Sequence, residues 1–178
     1  MQSSLRPAPD TPEGFPKTPL EVEGQMLNTG APVTEAIALG ECVLAAHGDG
    51  SLRLFSGDAP PREITAHHGV VLSMAASGQA AVVTGGDDGR LMRVSTDGEV
   101  EELADFGRGW VDCVAVHDQT GLVACSVGRV VHVWQPGAAR PKKFEHPSTV
   151  GGLAFDSRGK RLAVAHYGGA TVWERGAR

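Results

Sequence analysis

The chain has 178 residues, a length that suits one domain of ordinary size, and its 21 acidic against 16 basic residues give a formal net charge of −5. That balance excludes the basic footprint of a nucleic-acid-binding face. No apolar run reaches the roughly 18 residues of a membrane span or forms a signal-peptide core, so a soluble cytoplasmic protein is expected. The three cysteines, Cys42, Cys113 and Cys125, are odd in number, widely spaced and set in apolar runs. They read as small buried hydrophobes in a reducing compartment, with no disulfide framework or zinc spacing.

Residues 1–19 hold Pro7, Pro9, Pro12, Pro16 and Pro19 among polar neighbours. Such a stretch cannot bury enough surface to order itself, so a flexible tail is expected. Residues 20–27 alternate weakly (Leu20, Val22, then Met26 and Leu27), enough for one short strand. From there the chain falls into four units, at about 30–66, 67–104, 105–145 and 146–178. The first predicts strands at 33–39, 42–46, 52–55 and 62–65, the last behind Pro60-Pro61 as suits an outer edge. The second predicts strands at 70–75, 80–84, 91–94 and 100–103, and the third at 110–116, 122–126, 130–134 and 142–144. The fourth supplies only three, at 150–155, 162–165 and 170–173. No window carries a helical period, and the fold class expected is all-β.

The stretch that shows the repeat best runs from Val82 to Leu91. A β-branched run meets Asp87-Asp88-Gly89 and a second apolar run leaves at once. That predicts two antiparallel strands around a tight turn, with Gly89 at positive φ and an Asp bonding back to nearby amides. Copies lie at 44–55, 122–134 and 162–173, and the apolar residues that close the four, Phe55, Val94, Trp134 and Trp173, are spaced 39, 40 and 39 apart. A period near 40 with four short strands per unit is the pattern of propeller blades. Leu52, Leu54, Val131, Val133, Leu153 and Val164 are then expected in the core, because strands stacked between neighbouring blades are covered on both faces.

These units resemble WD40 repeats over about residues 30–175, and the chain resembles the N-terminal half of a longer bacterial WD40-repeat protein. In that family a Gly-His pair precedes the first strand and a Trp-Asp pair closes the third. A His, a strand Ser or Thr, a turn Asp and the Trp share a buried hydrogen-bond network. Unit two matches with His68, Thr84 and Asp88, and Val94 stands for the Trp. Unit one keeps Asp49, with Phe55 at the Trp position and Ala45 at the hydroxyl position. Unit three keeps Trp134 but has Gly128 for the turn Asp, and unit four keeps His146 and Trp173, followed by Glu174. No unit carries the whole network, so apolar packing and strand ladders are expected to hold the blades more than that polar cluster.

The resemblance implies four blades of a partial, half propeller, since WD40 rings usually have seven or eight. In such rings an N-terminal strand commonly completes the last blade, and residues 20–27 are the closure strand expected to pair with 170–173. Each free end face would expose about 500–600 Å² of apolar surface, as much as the largest patch on a typical monomer. Three arrangements would cover it: C-terminal blades belonging to a longer propeller, a homodimer closing an eight-bladed ring, or a compact four-bladed ring.

The chemistry-bearing residues read mostly as fold-building. Asp49, Asp87 and Asp88 are turn residues before they are an acid–base set. Ser73, Ser95 and Ser126 lack a nucleophile elbow, and no helix follows Gly85-Gly86 or Gly151-Gly152 to make a phosphate loop. Lys142-Lys143 reads as a solvated strand edge. His47, His67, His68, His146 and His166 map to one face without metal-ligand spacing on any element. The expectation is a non-catalytic protein–protein interaction scaffold without cofactor or bound metal, its partner-binding rim carrying Trp110, Tyr167, His47 and His166. The alternative is a propeller enzyme or metal-binding propeller with a site at the central channel.

Overall fold

Short apolar alternations broken by glycine turns fold into a series of small antiparallel sheets. The structure is a computed structural model and describes residues 6–7, 16–57 and 59–176. The chain divides into residues 1–32 and 33–178.

In the first unit β1 (Arg6–Pro7) pairs antiparallel with β2 (Gln25–Met26), and α1 (Pro19–Glu23) lies between them in sequence. The expected closure strand at 20–27 is therefore corrected: its first half is helical and its second half pairs with Arg6–Pro7. Proline at the first helical position costs no hydrogen bond and presets φ, and the Val22 N–H closes the turn on the Thr18 carbonyl at 3.1 Å. Four residues of weak alternation do not outweigh that start. The expected flexible tail falls largely on residues 1–5 and 8–15, which lie outside the described residues.

The second unit contains four sheets in chain order. The first is β3 (Val33–Leu39), β4 (Cys42–His47), β5 (Ser51–Ser56) and β6 (Arg62–Thr65). The second is β7 (Val71–Ala76), β8 (Ala81–Gly86), β9 (Arg90–Ser95) and β10 (Val100–Asp105). The third is β11 (Val111–His117), β12 (Leu122–Val127), β13 (Val130–Trp134) and β14 (Lys142–Glu145). The last has three strands, β15 (Val150–Phe155), β16 (Arg161–His166) and β17 (Gly169–Glu174). Each is an up-and-down meander, as the sequence predicts strand for strand, apart from one 3₁₀ turn at Asp118–Thr120.

Successive sheets lie with their first strands side by side, β3 by β7, β7 by β11 and β11 by β15. A bulge recurs in each of these strands, where the register slips between Val33 and Glu35, Val71 and Ser73, Val111 and Cys113, and Val150 and Gly152. A bulge bends a strand and re-aims the next side chain. Here it lets Glu35 accept the Met74 N–H at 2.7 Å and Ser73 Oγ accept the Val114 N–H at 3.1 Å. The side chain after the bulge thus ties one sheet to the next.

Apolar packing fills the three spaces between sheets. Leu44, Ala46 and Leu52 meet Val71, Met74, Val82 and Val94 in the first. Val83 and Leu91 meet Val111, Val114 and Cys125 in the second. Ala124, Val131 and Val133 meet Val150, Leu162 and Val164 in the third. Of the six side chains expected in the core, Leu52, Val131, Val133 and Val164 are buried, and Leu54 and Leu153 are half-buried against the same clusters. Each fully buried Leu or Val contributes about 1.5–3 kcal/mol. On the last sheet the face away from this packing leaves Ala154, Ala163, Ala165 and Ala170 exposed, with Val172 61% exposed.

The turn at Gly89 has φ of +80°, as expected, and a Cβ there would strike the Gly107 carbonyl oxygen; at Gly128, φ is +58° and a Cβ would meet nothing within 4 Å. Two αL glycines at matching positions thus carry different loads. Gly128→Ala should cost about 1–2 kcal/mol for conformation alone, and Gly89→Ala about 2–4 kcal/mol because strain and backbone overlap add. Urea unfolding of the two variants checks the order.

Candidate functional site

Antiparallel pairing places the turns at two ends of the sheets. β11 begins at Val111 opposite Val127, and β16 ends at His166 opposite Val150. Trp110, just before β11, and Tyr167, just after β16, therefore lie at the same end of their sheets, as does His68 before β7. Trp110 is 58% and Tyr167 90% exposed. Large exposed aromatics of this kind are enriched where proteins meet.

Beneath this end lies a polar network in the second sheet. His67 Nδ1–H donates to Asp88 at 2.9 Å, and His67 Nε2 accepts from the Thr84 hydroxyl at 2.8 Å. His67 is buried and its neighbour His68 is exposed, so the structural histidine is His67 and the assignment to His68 is corrected by one residue. The backbone explains the shift. The His67 N–H bonds to the Gly50 carbonyl at 3.0 Å, which turns its ring inward, and His68 offers only its N–H to Asp88 at 3.0 Å. Burial works to raise the Asp88 pKa, but the His68 N–H, the His67 ring and the Arg90 N–H outweigh it and hold the carboxyl below its usual 3.8.

The other units solve the same position differently. Phe106 stands where His67 stands, its ring 4.7 Å from His132 and 6.3 Å from Trp134, so aromatic packing replaces the polar relay. In the last sheet His146 Nδ1–H donates to the Arg129 carbonyl at 3.3 Å and its Nε2 accepts from Trp173 Nε1 at 3.0 Å, without a hydroxyl between. Asp49 acts as a turn residue, taking the Ser51 hydroxyl at 2.6 Å and the Ser51 N–H at 3.0 Å. Phe55 is half-buried on β5.

Two of the four rim residues are not where the sequence reading places them. His47 is fully buried, and neither ring nitrogen has a partner among the described residues, so it is corrected from rim to interior. The reason is its strand position: it closes β4 opposite Val33, where Gly86 sits in the next sheet. His166 is half-buried, with Nε2 3.2 Å from the Thr171 hydroxyl and its ring 5.8 Å from His146. Among the described residues no three His, Cys, Asp or Glu side chains gather as a metal set. Burial, with Cys113 alongside, pushes the Cys125 thiol up to about 12, which keeps it un-ionised at neutral pH.

The opposite end carries a feature the sequence reading missed. A groove of about 260 Å³ opens between the third and last sheets. Phe144, Phe155 and Trp173 form its floor with Leu122 and Leu162, and Lys142, Lys160, Arg161 and Arg175 stand around it. The Phe144 and Trp173 rings lie 4.7 Å apart. These residues come from five strands and two turns, and only the pairing brings them together.

The His67 relay makes two predictions. Thr84→Val should cost about 1–3 kcal/mol by leaving the buried Nε2 without a donor, and Thr84→Ser should recover most of it, read by urea unfolding. A carboxyl whose folded pKa is depressed stabilises the fold above its unfolded value, and that contribution is lost as pH falls through the folded one. Asp88→Asn should therefore be less stable than the parent at neutral pH, with the gap closing as pH drops below 3.8; unfolding midpoints across that range check it.

No protein-family model and no curated protein matches this chain.

Proposed function

We propose that residues 33–178 are blades of a divergent WD40-type propeller and that the chain is a non-catalytic scaffold for protein–protein interaction. The repeat near 40 residues, the four meander sheets packed first strand beside first strand, and the His67–Thr84–Asp88 relay support the family reading. The observation that carries the function is the end bearing Trp110 and Tyr167, 58% and 90% exposed. Apolar area of that size facing water is stabilised when a partner covers it. Near it His67, Thr84 and Asp88 bond one another, and His146 bonds Trp173 and Arg129. A rigid body with exposed aromatics suits binding.

Affinity purification of the tagged full chain beside a Trp110→Ala/Tyr167→Ala variant tests this. The variant should keep the parent's melting temperature and lose at least tenfold in recovery of specific partners by quantitative mass spectrometry. Equal recovery from both chains would sink the assignment of this end.

A further inference from the structure

We infer that His132 is a proton-operated latch on the junction between the second and third sheets: acidification charges its ring, drives it out of an aromatic stack and opens the junction over Cys125. Both of these sheets carry four strands, β7 to β10 and β11 to β14.

The latch begins with what the ring touches. On β13, His132 pairs across the sheet with Cys125 of β12 and Lys143 of β14. Its ring lies 4.7 Å from Phe106 and 6.1 Å from Trp134. Those two side chains pack with Leu103 and Ala104 of β10 in the outer half of the junction, and Cys125 lies fully buried among them. The inner half is held separately, by Val83 against Val111 and by the Val114 N–H on Ser73 Oγ at 3.1 Å. The outer half can therefore open while the inner half stays closed.

The ring itself is 7% exposed, and its Nδ1 has no hydrogen-bond partner among the described residues. A neutral imidazole tolerates that, because the proton can sit on Nε2 and leave only a lone pair unanswered. An imidazolium carries an N–H at both nitrogens, so charging buries a donor and a full charge with nothing to receive them. Met92 stands at the matching position of the second sheet, across from Thr84 as His132 is across from Cys125, and cannot titrate.

The charges facing the junction do not answer the cation. Burial and, after it, Lys143 hold the His132 pKa below its usual 6.5. Glu145, beyond Lys143 on β14, is engaged by Arg129 at 2.5 Å, and Glu101 of β10 lies across from Arg93 of β9. β11 turns Val114 and Val116 to this side, and Cys125 stays un-ionised. A histidine with a depressed folded pKa leaves the fold untouched above 6.5. Below it the open junction takes the proton that the closed one refuses, and opening grows as pH falls until the closed ring titrates in turn. Aromatic faces also attract a cation; were that attraction to prevail, the ring would titrate above 6.5 and stay in place.

The test is labelling of the full chain with dithiodipyridine at about pH 7.5 and about pH 5.5, either side of the ordinary histidine range. Each cysteine's rate is located by peptide mass spectrometry and divided by that of glutathione at the same pH. The normalised rate at Cys125 should rise between about threefold and about tenfold on acidification. Cys113, which lies against the last sheet, should show no such rise. His132→Met should remove the rise at Cys125. Ring-proton shifts of His132 followed by nuclear magnetic resonance should give a pKa below 6.5. Lys143→Glu should raise that pKa, which keeps the test decisive if the methionine variant folds poorly. A His132 pKa at or above 6.5, or one that Lys143→Glu leaves unchanged, would overturn the proposal. So would no rise at Cys125, a rise shared by Cys113, or an equal rise in the parent and His132→Met.

Discussion

A small sheet whose two faces are both apolar cannot stand alone in water, and the second and third sheets of residues 33–178 are of that kind. Val82 on one face of the second sheet and Val83 on the other are both buried, in different clusters. Stability therefore comes from stacking, each sheet serving as the cover of its neighbour. The repeated bulge makes this stacking regular. By bending each first strand at the same place, it sets one polar side chain against the backbone of the next sheet, at Glu35 and Ser73.

Stacking also explains why the polar relay varies so freely. Where apolar contact supplies most of the stabilisation, the space between linker and sheet can be filled in several ways. His67 with Thr84 and Asp88, Phe106 with His132 and Trp134, and His146 with Trp173 are three solutions. A relay needs all its members, since a buried half-network is costlier than none. In the third sheet Cys125 faces His132 where Thr84 faces Met92, and the histidine position itself is Phe106. The third sheet loses hydroxyl and histidine together, whereas the last keeps His146 with Val164 at the hydroxyl position.

The face of the last sheet away from the core exposes alanines and Val172. Across the sheets, Trp110 and Tyr167 mark a second exposed region at the opposite set of turns.

The sequence by itself determined the strands of residues 33–178 and their grouping. Alternation specifies each strand locally, and Asp-Gly turns such as Asp88-Gly89 specify the hairpins through the φ they require. It misjudged residues 20–27, where Pro19 starts a helix that four alternating residues cannot oppose. It missed the inward histidine by one position, because His67 and His68 are alike in sequence and only the bond from the His67 N–H to Gly50 decides which ring turns in. The burial of His47, the bulges that link the sheets and the basic groove were legible in no local pattern. Each depends on which strands become neighbours: Lys142, Lys160 and Arg175 are a solvated scatter along the chain, and they frame one groove only because β14 comes to lie beside the last sheet.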